Sequence, residues 1–151
     1  MSMSMYVYRI RKRFLYSLGV TEEQIKEFGG VLSSWKDQDG ISSERTLFCA
    51  SEHIGEGFSR ESDLLNRLES YKDVSKIPRG KHDYIIRIYT LNDLKRLLQD
   101  VKDKKVRLHY ETEDDFNKNE ISVERRIIIE RLEYIIESSY ADKYYYTAGW
   151  Y

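Results

Sequence analysis

Gly55-Glu56-Gly57, with Arg60 three residues on, is the segment whose residue types could do the most specific chemistry. Glycines ahead of a helix N-terminus let backbone amides approach a phosphate, and an arginine adds charge. Arg60 stands where the dinucleotide fingerprint has its third glycine, so a plain flexible loop accounts for the same residues. A second group is Arg9, Arg11, Lys12 and Arg13 next to Tyr6 and Tyr8. Such a cluster can neutralise phosphates and stack on bases, and the alternative is a strand end running out of the core into solvent.

Other chemistries find less support. His53, His82 and His109 are far apart, no two stand at helical spacing, and the single Cys49 has no partner, so no metal site is expected. Asp114-Asp115 lacks the glycine and alternating ligands of a calcium loop. Cys49 lies in an apolar run, where a free thiol packs as a small hydrophobe. No Gly-x-Ser-x-Gly elbow occurs, and spacing alone sets no base beside any serine.

The elements that must position these residues follow from pattern. Met5, Val7 and Arg9 alternate with Tyr6, Tyr8 and Ile10, which predicts a strand. Thr21-Glu22-Glu23-Gln24 is a capping box, opening a helix that stops at Gly29-Gly30. Residues 31 to 44 read as loop or short helix, Arg45 to Ala50 as a buried strand, and Ser51 to Gly57 as the loop after it. Leu64, Leu65, Leu68 and Tyr71 predict a helix capped by Ser59 or Ser62. Tyr84 to Tyr89 is rich in β-branched and aromatic residues and predicts a strand, after which Thr90 caps a helix with Leu91, Leu94, Leu97, Leu98 and Val101 on one stripe.

Val106, Leu108 and Tyr110 alternate with Arg107, His109 and Glu111, the pattern of a half-exposed strand. Glu111 to Glu120 reads as a solvated loop or the front of a helix. Ile121, Ile128, Leu132, Ile135 and Ser139 lie close to a 3.6 period, which favours one long amphipathic helix over strand plus helix. The tail from Lys143 to Tyr151 has strand propensity and is expected to dock, since a free aromatic tail would expose a sticky patch. The expected fold is α+β, one domain over residues 1–151, with a mixed or antiparallel central sheet and about four helices packed on it.

Composition bounds the rest. Hydrophobic residues at 40% in periodic clusters describe a folded chain, and a net charge of -1 predicts no global attraction to nucleic acid or membrane. One cysteine allows no internal disulfide, and basic residues interrupt the early apolar stretch, so a cytoplasmic location is expected, with no membrane span. Scarce alanine and proline beside abundant isoleucine, lysine and tyrosine point to coding bias of an AT-rich genome, such as a low-GC bacterium or its phage.

Tyr8-Arg9 on an opening strand, a helix ending in glycine, a strand ending at Ser51, and Glu120 or Glu124 before Ile127-Ile128-Ile129 together resemble the ADP-ribosyltransferase-like superfamily, including its RES-type NAD-consuming relatives. The similarity lies in the order of elements over nearly the whole chain. It implies NAD as cofactor, with Arg9 on the pyrophosphate or ribose, Ser51 supporting the strand that frames nicotinamide, and Glu124 or Glu120 on the ribose 2'-hydroxyl, stabilising an oxocarbenium-like transition state. Tyr8, Gly55, Gly57 and Arg60 would then line the cofactor site. The rival reading is a non-catalytic protein-binding or inhibitory module that uses the tyrosine-rich tail and exposed tyrosines, because tyrosine gives large contact area at low entropic cost. A third is nucleic-acid binding through residues 9–13.

Overall fold

A computed structural model describes residues 4–17, 19–34, 52–59, 63–75, 77, 83–139 and 142–150. In chain order these form β1 (Ser4–Arg11), α1 (Lys12–Ser17), α2 (Glu22–Phe28), β2 (Gly30–Ser34), β3 (Glu52–Ser59), α3 (Leu64–Ser70), β4 (Asp83–Arg87), α4 (Leu91–Lys102), α5 (Glu113–Asn117), α6 (Val123–Glu137) and β5 (Tyr144–Trp150). The fold is α+β and its sheets are antiparallel. Two of the helices, α1 and α5, are short additions to the expected four.

The opening strand β1 is central, with β3 on one side and β5 on the other, both antiparallel. A second sheet pairs β2 with β4. The two sheets meet at one antiparallel bridge, where Tyr89 and Tyr146 exchange backbone hydrogen bonds at 2.7 and 2.8 Å. The aromatic tail is therefore docked as β5, with Tyr145 and Tyr146 buried.

The alternation of β1 divides the core. Met5 and Val7 point to one face and join Phe58, Leu64, Leu68, Leu94, Leu97, Leu132, Ile135 and Tyr146 under α3, α4 and α6. Ile10 points to the other and joins Leu15, Val20, Ile25, Ile88 and Tyr145 against α1 and α2. Three threonines open helices through complete capping boxes: Thr21 with Gln24, Thr90 with Asp93 and Thr112 with Asp115. Gly29 closes α2 at φ 67, the left-handed stop expected of it.

Four expectations need correction or completion. The stretch after Ser51 is strand β3 instead of a loop, carried by its ladder with β1. Val106 to Tyr110 forms no strand: Val106 and Leu108 are buried and Tyr110 is exposed, but the segment has no ladder partner among the described residues, so the period of two reflects anchoring into the core. Asp63, and not a serine, occupies the N-cap of α3. Residues 31–34 belong to β2, while the strand expected over Arg45 to Ala50 lies outside the described residues.

Candidate functional site

Helix α6 starts where Ser122 accepts a hydrogen bond from the Arg125 amide at 3.2 Å. One turn in, Arg125 takes a place in the buried stripe with Ile128, Leu132 and Ile135 and is fully buried. Four of its five N–H groups are engaged: Nε donates to Glu111 Oε2 at 3.0 Å, Nη2 to Glu111 Oε1 and to the Val106 carbonyl at 2.9 Å, and Nη1 to the Val101 carbonyl at 2.7 Å. Ser122 Oγ adds a bond to Glu111 Oε2 at 2.7 Å. Burial by itself would raise the Glu111 pKa, but hydrogen bonds from Arg125 and Ser122 and the positive charges around it outweigh burial and hold the carboxyl below its ordinary value.

This buried pair, with Lys104, fixes the 109–122 segment beside α6. Lys104 adopts φ 58 just past α4, and its ammonium donates to the carbonyls of Phe116 and Glu120, each at 3.1 Å, and to that of Lys118. Between the segment and the helix runs a groove of about 690 Å³ whose apolar lining is Tyr110, Ile121, Val123, Ile127 and Ile128. Tyr110 and Val123 are 75% and 73% exposed. Glu124 also lines it: Oε2 accepts the Tyr110 amide at 2.6 Å, and Oε1, out of solvent, has no hydrogen-bond partner among the described residues. Arg131, at the far end of the lining, donates through Nη1 to the Gly57 carbonyl at 2.6 Å.

The residues singled out by sequence are dispersed. Arg9 donates to the carbonyl of Ser138, the C-cap of α6, at 3.0 Å and stacks on Tyr144 with its guanidinium 4.6 Å from the ring centre. Glu124 lies in the first turn of the same helix. Fourteen helical residues separate Ser138 from Glu124, about 20 Å at 1.5 Å per residue, so Arg9 and Glu124 do not face one bond of one ligand. Glu120 is exposed, and its carbonyl accepts from Lys104. Tyr8 is half-buried on β1, opposite Thr147 and His53. Ser51 and Arg60 lie outside the described residues.

Gly55 and Gly57 sit inside β3, and the N-cap of α3, Asp63, comes six residues past Gly57. Between the pairs Met5–Phe58 and Val7–Ile54 the register shifts, so that Tyr6 alone faces Gly55, Glu56 and Gly57. Gly55 takes φ 73, and a Cβ there would stand 3.2 Å from Ile135 on α6. A Cβ on Gly57 would meet the Tyr6 ring at 2.9 Å. These glycines make a bulge that lets α6 and Tyr6 approach the strand. Of the basic cluster, Lys12 pairs with Asp142 at 3.1 Å, and Arg11 and Arg13 are exposed.

Sequence reading passed over two charged residues that the fold buries. Arg125 left a signal: it stands three residues before Ile128 on the stripe that runs on through Leu132 and Ile135. Asp100, on the buried face of α4, accepts the Tyr71 hydroxyl and Arg67 Nε at 2.9 Å, which ties α3 to α4. Burial, then the bond to Asp100, pushes the Tyr71 hydroxyl up to about 12, so it remains a neutral donor. Among the described residues no three His, Cys, Asp or Glu side chains gather to hold a metal, and no helix is long and apolar enough to cross a membrane. Protein-family models, curated proteins and solved structures offer no match to this chain.

Proposed function

We propose that the chain is a non-catalytic protein-binding module whose docking surface is the groove beside the N-terminal half of α6. One observation carries this reading. Six large apolar side chains stand exposed among the described residues, and four of them, Tyr110, Ile121, Val123 and Ile127, line that one groove. Single exposed hydrophobics need no explanation, whereas a contiguous group marks an interaction surface.

The polar groups of the groove favour binding over chemistry. Ser122 Oγ bonds to Glu111, but a carboxylate held below its ordinary pKa by Arg125 is a poor base, so the hydroxyl is not activated as a nucleophile. The tyrosine-rich tail is spent on the sheet, which moves the interface from the C-terminal segment to α6.

Affinity capture of the full chain from its source cells, followed by mass spectrometry, tests the reading. Val123→Asp with Ile127→Asp changes two exposed positions, so circular dichroism should match the parent while the captured partner falls at least about tenfold, the loss expected when charge enters an apolar contact. A partner retained equally by both forms overturns it.

A further inference from the structure

The geometry points to a partner segment that presents a lysine or arginine beside apolar side chains; this deepens, and rests on, the protein-binding reading of the α6 groove.

The apolar surfaces of Tyr110, Ile121, Val123 and Ile127 call for apolar contacts but leave the polar part of the partner open. Charge decides it. The charged side chains on the lining are Asp115, Glu124 and Arg131, two carboxylates to one cation. Glu111 is neutralised by Arg125, and Asp115 reaches Lys118 at 3.9 Å. Glu113, Asp114 and Glu120 are exposed on the segment that flanks the groove, where a basic side chain meets them at less cost than a phosphate or an acidic peptide does.

Glu124 adds a specific acceptor. One of its oxygens holds the Tyr110 amide, and the other is without a partner among the described residues. A buried anionic oxygen left unbonded is a standing cost that an arriving ammonium or guanidinium removes. Oε1 is out of solvent in the free protein, so an arriving side chain must displace the atoms that cover it. Arg131, the groove's own cation, commits Nη1 to the Gly57 carbonyl. From Val123 to Arg131 the helix runs about 12 Å, enough for two helical turns of partner or four extended residues.

A phage-displayed library of random peptides selected on the full chain, its winners then assayed on the Val123→Asp, Ile127→Asp form, tests this. The expected winners carry net positive charge next to apolar residues, weaken as salt is added, and lose about tenfold or more in affinity on Glu124→Gln with Glu120→Gln. Glu124→Gln keeps an acceptor for Tyr110, so a folded variant is retained. Neutral or acidic winners that still depend on Val123 and Ile127 overturn the basic-partner inference and leave the protein-binding reading standing. Winners indifferent to Val123 and Ile127 overturn both. Self-association by sedimentation that the aspartate pair abolishes makes a second copy the occupant and overturns the inference as well.

Discussion

The guanidinium of Arg125 and the carboxylate of Glu111 meet through both oxygens of the acid, with side chains 0% and 1% exposed, although fourteen residues separate them in sequence. Ser122 and the carbonyls of Val101 and Val106 complete the shell. This pair joins α4, the 109–122 segment and α6, and so builds one wall of the groove.

Arg125→Met leaves Glu111 buried and unpaired, and is expected to cost about 3–5 kcal/mol. Adding Glu111→Leu removes the second charge and should restore part of the loss, the rest being held back by the two carbonyls that lose their donor. Urea denaturation of the single and double variants measures both. An Arg125→Met protein within about 1 kcal/mol of the parent would sink the assignment.

Acid should destabilise the fold through two carboxylates. Glu111 and Asp100 are held below their ordinary values of 4.5 and 3.8: burial opposes this, and the Arg125 and Ser122 bonds to Glu111, and the Tyr71 and Arg67 bonds to Asp100, overcome it. Between the lowered folded value and the ordinary unfolded one, the unfolded chain binds more protons, so stability rises with pH there. The contribution is complete above the ordinary values and is lost as pH falls through the folded ones. Thermal melts from pH 6 downward should show a steepening loss below about pH 4.5, shallower in Glu111→Gln and Asp100→Asn. A slope unchanged in both variants would count against it.

Gly55→Ala should lose about 1–2 kcal/mol, because an L side chain is strained at positive φ and this one also presses on Ile135. Gly57→Ala strikes the Tyr6 ring, so its cost should shrink when Tyr6 is also made alanine. A double-mutant cycle by chemical denaturation reads that coupling, expected at about 0.5–3 kcal/mol for residues in contact. Additive costs would mean that the bulge does not pack as described.

Truncation after Lys143 removes the strand that pairs with β1 from Met5 to Arg11, along with buried Tyr145 and Tyr146. The truncated chain is expected to lose cooperative unfolding altogether. Tyr146→Phe deletes only the hydroxyl bond to Ser139 and should cost about 1 kcal/mol. A truncated chain that still melts cooperatively would return the tail to the role of an exposed binding arm.

Sequence alone determined the elements that close on themselves. Thr21, Thr90 and the left-handed stop at Gly29 act on residues within four positions, and the stripe of Leu94, Leu97 and Val101 declares its helix through its own spacing. Strand β1 was legible too, since its two apolar sets serve two cores. Tertiary structure decided what depends on distant partners. Gly55 to Gly57 became strand because β1 supplied a ladder and Tyr6 filled the bulge, while Val106 to Tyr110, with equally good alternation, pairs with no edge among the described residues. Arg125 stayed hidden for the same reason: an arginine in an apolar stripe reads as exposed until a carboxylate fourteen residues away is folded against it. The groove beside it is likewise a product of packing, because Tyr110 and Val123 become neighbours only when that ion pair and Lys104 hold the segment to the helix.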